Sequence, residues 1–233
     1  SSVSHDLRTP LAVISGASSS ILQNPAMIAT TQRELLQTVF DESDRLSRLV
    51  ENLLRLTQVT SAQFFVEKHW HPVEDVVGSS LRRLEHLLGL RQVNVNLPAE
   101  VLLGQFDAVL IEQVLVNLLE NACRYTPADT PINIAAWTDG PITVIEVSDY
   151  GPGLLAGDEL RVFEKFQRGA NVKSDSRGAG LGLAICRAIV RAHGGEITAR
   201  NRTEKTGVIF RVRLPTEGAV PRLNTEDHSG NAD

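Results

Sequence analysis

The chain has 233 residues, enough for one large domain or two modest ones at roughly 100–200 residues each. Its 42% hydrophobic and 22% charged residues are those of a globular protein, and no run approaches the ~20 consecutive apolar residues of a membrane span. A net charge of -5 argues against a nucleic-acid partner, and two cysteines, Cys123 and Cys186, are too few for a disulfide framework. The N-terminus also lacks a basic region followed by an apolar run, so no signal peptide is expected. The fragment is therefore expected to be soluble and cytoplasmic. A helical pattern is already running at Ser1, as if the element continued upstream.

Residues 1–23 read as an amphipathic helix, with Leu7, Leu11, Ile14 and Ile21 at helical spacing and Ser18 in the remaining slot. A break follows at Asn24-Pro25. A second helix runs from about Thr31 to Val59, and its Leu35, Val39, Glu42, Leu46, Leu49, Leu53 and Leu56 form a heptad seam with one polar member. Two helices with a short connection make an antiparallel hairpin. One such hairpin buries a single stripe per helix, so pairing of residues 1–60 with a second copy into a four-helix bundle is expected.

From Gln63 the pattern changes. Short β-like runs are expected at Phe64–Trp70, Gln92–Leu97, Ile132–Trp137, Ile142–Ser148, Glu196–Arg200 and Val208–Leu214. They alternate with helical segments near 73–89, 107–125 and 179–193, which indicates an α/β (α+β) sandwich over residues 61–216. Residues 217–233 are poor in apolar side chains and have no period, so a disordered tail is expected there.

The chemistry starts in S-H-D-L-R-T-P-L. On a helix, His5, Arg8, Thr9 and Ala12 share one side, while Leu7, Leu11 and Ile14 take the other. His5 is thus presented to solvent, and an imidazole is a usable nucleophile near neutral pH. Asp6 can hydrogen-bond one ring nitrogen and leave the other free to attack. Pro10 has no N–H for the carbonyl of Asp6, so a bend is expected just past the histidine.

No G-x-x-x-x-G-K-[ST] string is present, so any ATP site needs another construction. In I-E-Q-V-L-V-N-L-L-E-N-A-C-R-Y, Ile111, Leu115, Leu118 and Ala122 make an apolar face. Gln113, Asn117, Glu120, Asn121 and Arg124 cluster within about 100° on the opposite face. Amide oxygens four residues apart suit a hard cation such as Mg²⁺, and Arg124 is placed for a phosphate. A plain solvated face explains this segment equally well when it is taken alone.

Two glycine-rich stretches follow. In V-S-D-Y-G-P-G-L the glycines permit a tight turn and close backbone approach, and an ionised Asp149 is an acceptor suited to the exocyclic amine of adenine. R-G-A-G-L-G-L-A-I-C-R-A-I-V then leads glycine spacing into an apolar helix, whose first N–H groups suit phosphate. A Rossmann dinucleotide site is the rival reading. These glycines come late and no strand immediately precedes them, which counts against it. Between the two stretches lies F-E-K-F-Q-R-G-A-N-V-K-S-D-S, which suits a lid, with Lys165, Arg168 and Lys173 available to neutralise a triphosphate. His69 and His71 flank Trp70, and His193 sits at a helix end where a cation suits the dipole; all three read as structural.

The order N-L-L-E-N-A, D-Y-G-P-G, F-E-K-F, G-A-G-L-G-L resembles the four sequence boxes of the GHKL, or Bergerat, ATP-binding fold, shared by histidine kinases, DNA gyrase, Hsp90 and MutL. With S-H-D-L-R-T-P-L ahead of it, the resemblance narrows to sensor histidine kinases and covers about residues 1–215. W-H-P-V-E-D-V-V-G-S-S-L and L-A-I-C-R-A-I-V-R-A-H-G-G look like KdpD-type kinases.

The resemblance implies ATP and Mg²⁺ as cofactors, His5 as phosphoacceptor, Asp6 as base, and Thr9 as the residue that serves dephosphorylation of the partner. It implies Asn121 as the main Mg²⁺ ligand, supported by Asn117. Glu120, Arg124, Tyr125, Asp149, Lys165, Arg168 and Leu181 would surround the nucleotide, with Gly151, Gly153, Gly178, Gly180 and Gly182 shaping pocket and lid. Implied partners are a second copy of the chain and a response-regulator receiver domain, KdpE-like by the finer resemblance. The full-length protein would be anchored in the bacterial inner membrane. Tyr150 departs from the family pattern, where a small polar residue is usual, which puts the packing beside Asp149 in question. Because the pocket lies over 100 residues from His5, a mobile linker is expected near Val59–Gln63. The rivals are a core in which phosphatase action through Thr9 dominates and a nucleotide-gated module without catalysis.

Overall fold

The computed structural model describes residues 2–61, 64–165 and 180–221, with the side chains of residues 2, 3, 5 and 6 outside that description. Helices α1 (Ser2–Gln23) and α2 (Ala29–Val59) form the expected hairpin. All seven seam residues of α2 from Leu35 to Leu56 are at least partly buried, and Leu49 and Leu56 are fully so. The first helix runs through Pro10. Its packed side carries Pro10, Ile14 and Ala17, and Leu11, expected in the stripe, is 51% exposed. Leu22, Ile28, Leu36, Phe40 and Leu54 also remain exposed, so a single hairpin leaves considerable apolar surface uncovered.

Beyond the hairpin, helices and strands alternate: β1 (His69–Pro72), α3 (Val73–Arg83), α4 (Glu85–Leu88), β2 (Val93–Asn96), β3 (Leu103–Phe106), α5 (Ala108–Tyr125), β4 (Ile132–Asp139) and β5 (Ile142–Ser148). A 3₁₀ turn at Arg161–Phe163, α6 (Gly182–Ala192), β6 (Glu196–Asn201) and β7 (Val208–Pro215) complete the order. Five strands form a mixed sheet in the order β2-β4-β5-β7-β6, parallel only between β2 and β4, while β1 and β3 pair separately.

Alternation decides which face is buried. On β7, Val208, Phe210, Val212 and Leu214 point inward while Ile209, Arg211 and Arg213 point outward. Ile132, Ile134, Ile145 and Val147 from β4 and β5 join them against Ile111, Leu115 and Leu118 of α5 and Ile185 and Ile189 of α6. Each such fully buried side chain contributes about 1.5–3 kcal/mol. The other face is polar, with Arg211 directly opposite Glu146 and its Nε 2.6 Å from Oε1. The architecture is therefore a helical hairpin followed by an α+β sandwich.

Differences from expectation have local causes. The first strand starts at His69 rather than Phe64, because its partner β3 is four residues long and pairing stops at His69–Phe106. That partner, L-G-Q-F, was not expected as a strand. The helix expected over 73–89 is broken at Leu84, and the one expected from 179 starts at Gly182. His193 is structural but not cationic. Its Nε2 accepts from Asp107 N (3.1 Å), its Nδ1 faces Ile189 O (2.8 Å) as donor, and burial holds its pKa below the usual value. Glu217, expected in the tail, donates its N–H to Gln105 Oε1 at 2.7 Å. Of the expected linker, Ala62 and Gln63 lie outside the described residues, as do residues 222–233 of the tail.

Candidate active site

Asp107 starts α5 by accepting from Val109 N and Leu110 N, both at 3.1 Å, a cap worth about 1 kcal/mol. The apolar face behaves as the wheel requires: Ile111, Leu115, Leu118 and Ala122 are all buried. The polar face is not a simple solvated one. Gln113 and Asn117 are buried too, and Gln113 Nε2 donates to Asn117 Oδ1 at 3.0 Å. Asn117 Nδ2 in turn donates to Gly182 O at 3.3 Å, so the helix row meets the start of α6 directly. Glu120, Asn121 and Tyr125 lie further along, half-exposed, and Arg124 is exposed.

The D-Y-G-P-G loop leaves the end of β5. Asp149 is buried, and its Oδ1 accepts from Gly151 N (2.9 Å) and Val208 N (3.2 Å). Burial raises its pKa above the ordinary carboxylate value, while the two backbone N–H groups and Arg202 oppose that rise. Both bonds land on Oδ1, so Oδ2 is the oxygen available to a ligand. Gly151 has no room for a side chain, since a Cβ there would lie 2.9 Å from Tyr125 O. The asparagine helix and the Asp149 loop therefore touch where Tyr125 ends α5.

Tyr150 packs against the neighbouring strands. Its hydroxyl accepts from Asn133 Nδ2 at 3.4 Å, and the Arg202 guanidinium lies 4.1 Å over its ring. The Asn133 bond is the main cause that lowers its pKa. The larger side chain at position 150 is thus held by Asn133 and Arg202, beside the buried Asp149.

Across from α5, Leu181 is buried and precedes α6, and Gly180 adopts φ +66°. Phe163 of the F-E-K-F segment is buried edge-on to Phe210, 6.2 Å between ring centroids, and Lys165 is exposed. Arg168, Lys173 and Gly178 lie outside the described residues. The structure thus sets the start of α6 against Asn117 in the middle of α5 and the Asp149 loop against Tyr125 at its end. On the hairpin, His5 and Asp6 fall within α1, their side chains outside the description, and Arg8 and Thr9 are exposed.

Three contacts at the site had no local sequence signal. Arg55 Nη1 of α2 donates to Gln113 Oε1 at 3.1 Å. Arg91 donates to Thr126 Oγ1 and, at 3.2 Å, to Thr126 O, clamping the chain just past Tyr125. Asn201 bonds both backbone groups of Leu154. All three partners are at least 35 residues distant in sequence, beyond the reach of any periodicity.

Two family models match the chain. Residues 1–62 match the His Kinase A (phospho-acceptor) domain, and residues 106–218 the histidine kinase-, DNA gyrase B-, and HSP90-like ATPase. Sensor protein KdpD of Escherichia coli (strain K12) is 43% identical over 93% of this chain and 24% of its own length. Sensor protein KdpD of Clostridium acetobutylicum is 37% identical, with the same coverage. The chain thus spans about a quarter of these relatives. Among solved structures, the Acinetobacter baumannii histidine kinase AdeS matches with a TM-score of 0.74 at 25% identity, over 92% of this chain and 98% of that one. Histidine kinase ThkA, in complex with response regulator protein TrrA, matches in fold with a TM-score of 0.77 at 23% identity, over 92% of this chain and 60% of that one.

Proposed function

Because the chain belongs to the sensor histidine kinases, joining a phospho-acceptor domain to a histidine kinase-type ATPase domain, we propose that it uses ATP to phosphorylate its own His5. The observation that supports this reading is that the polar row of α5 meets the start of α6 at Asn117 and the loop of the buried Asp149 at Tyr125, in a chain whose hairpin bears the S-H-D-L-R-T-P-L run.

Asp149 Oδ2 accepts from the adenine amine, and the polar residues of α5 face the phosphates. Asn121 would be the main Mg²⁺ ligand with Asn117 in support, both offering oxygen of the kind Mg²⁺ prefers, and Glu120 would lie beside the nucleotide. Asn117 can serve only with the lone pair that Gln113 leaves free. When bound, the cation neutralises charge on the phosphates. Arg124 and Lys165 add positive charge, and Tyr125 lies beside the nucleotide. Gly151, Gly153, Gly180 and Gly182 let backbone come close to it, with Leu181 packed beneath. Arg168 and Gly178, outside the described residues, are assigned to the nucleotide site by their place in the sequence motifs. A ring nitrogen of His5 attacks the γ-phosphorus, ADP departs, and Asp6 takes the ring proton.

The phosphoryl group then passes to an aspartate of a response-regulator receiver domain, and Thr9 serves its later removal. The likeness to KdpD proteins supports a KdpE-like regulator and a full-length protein anchored in the bacterial inner membrane. Among the described residues no helix is long and apolar enough to cross a membrane. The exposed apolar stripe of Leu36, Phe40 and Leu54 supports pairing of two hairpins. Transfer is tested by mixing the ³²P-labelled chain with a purified KdpE-type receiver domain. Label should move to the receiver within minutes and stay on the kinase when the receiver's acceptor aspartate is replaced by asparagine. Retention of label against the intact receiver contradicts the assigned partner.

A further inference from the structure

The last residue of β6 carries a side chain that no motif marks. Asn201 Oδ1 accepts from Leu154 N at 2.6 Å, and Asn201 Nδ2 donates to Leu154 O at 2.9 Å. One amide side chain thus offers the donor and acceptor pair that a neighbouring strand would supply, and binds a loop residue that belongs to no strand. The loop is shaped to meet it. Gly153 sits at φ +84°, and a Cβ there would lie 2.9 Å from Asn201 Oδ1.

The same hairpin of β6 and β7 holds the other end of that loop. Asp149 N donates to Val208 O at 3.0 Å, and Val208 N donates to Asp149 Oδ1 at 3.2 Å. Residues 149–154 are therefore fastened at both ends to one support, by β7 backbone at Asp149 and by the Asn201 side chain at Leu154. Between the two anchors, Gly151 presses on the end of α5 at Tyr125. If the second anchor is released, the loop keeps Asp149 but loses the constraint on where the carboxylate and the backbone after it stand relative to α5.

We propose that Asn201 is a positioning residue for base recognition: its two bonds to Leu154 hold the Asp149–Gly153 loop in the shape that selects adenine. This rests on the reading of Asp149 as the adenine contact. Asn201 itself touches no part of the nucleotide, and acts through the loop.

The test compares ATP and GTP as phosphoryl donors for the whole chain, measuring KM and kcat of autophosphorylation for each. Asn201→Ala removes the clamp. Asn201→Asp keeps an acceptor for Leu154 N but sets a second oxygen against Leu154 O. Both variants should raise KM for ATP about fivefold, the worth of about one to two net hydrogen bonds, with kcat within about twofold. The preference for ATP over GTP should shrink by a similar factor. Loss of folded protein alone lowers the apparent kcat and leaves KM unmoved, so unchanged KM and unchanged base preference in both variants overturn the proposal. Asp149→Asn is run alongside. If it abolishes the preference while the Asn201 variants keep it, only the positioning role falls. If Asp149→Asn also keeps the preference, the adenine reading falls and the positioning role with it.

Discussion

Arg55 donates its Nη1 to Gln113 Oε1 at 3.1 Å, so the second hairpin helix is bonded to the polar row of α5. Gln113 passes the contact on to Asn117, and Asn117 to Gly182. Leu56, next to Arg55, is buried in the same cluster as the sandwich core. The hairpin is therefore packed against α6 and tied by Arg55 to the helix that carries the proposed metal ligands. A charged donor on Gln113 strengthens the bond from Gln113 to Asn117, and that bond holds the Asn117 oxygen. Arg55→Ala is expected to loosen this hold without breaking it and to tighten Mg-ATP binding by no more than about twofold, since cooperative strengthening is about 10–30% of a bond. Calorimetric titration checks it; unchanged or weaker binding contradicts the relay.

The buried imidazole of His193 predicts a pH dependence of stability. Its folded pKa lies below the unfolded value of about 6.5, chiefly through burial. Above that value both states are neutral and the contribution is complete. As pH falls below about 6.5, the unfolded chain takes up a proton that the folded chain resists, and stability drops. The urea midpoint should therefore fall between pH 7 and pH 5.5, and His193→Gln should flatten that fall. An equally steep fall in the variant contradicts the assignment.

The two thiols should differ in reactivity. Burial pushes the Cys186 thiol up to about 12, and its Sγ lies 3.7 Å from Val114 O. Cys123 is only partly buried, and burial raises its pKa with Arg91 opposing. A thiol reagent at pH 8 is expected to label Cys123 in the native protein and Cys186 only on unfolding. Mass spectrometry of the labelled peptides decides it, and early labelling of Cys186 contradicts the packing of α6 on α5.

How much of this was legible in the sequence depends on range. The apolar face of α5 could be read because Ile111, Leu115, Leu118 and Ala122 recur with the helical period and the core lies on one side. The hairpin seam was legible for the same reason. Asp149 was marked because a D-x-G-x-G string follows an alternating β run. The burial of Gln113 and Asn117 was not legible, since it depends on α6 arriving over them from more than 60 residues away. The short β3 strand was hidden because four residues around a glycine carry no alternation of their own. It exists only through its pairing with His69–Pro72. Arg55, Arg91 and Asn201 act across similar distances, where no local pattern reaches.

Exposed apolar residues on α2 predict the oligomeric state. Phe40 is 67% exposed and Leu36 53% on a helix whose opposite seam is already packed. Phe40→Glu is expected to weaken hairpin pairing at least about tenfold, the scale of losing one well-buried aromatic from an interface. Sedimentation velocity across a concentration series reads the shift, and a dimer of unaltered strength contradicts the placement of the second copy.

Phosphorylation of His5 by ATP is the step on which the proposed signalling chemistry depends. The most direct measurement incubates the purified chain with Mg²⁺ and γ-labelled ATP, then treats the labelled protein with acid or alkali. The expected label survives alkali, is lost in acid, and is missing from His5→Gln while that variant still binds ATP. Label that persists in His5→Gln, or survives acid, contradicts it.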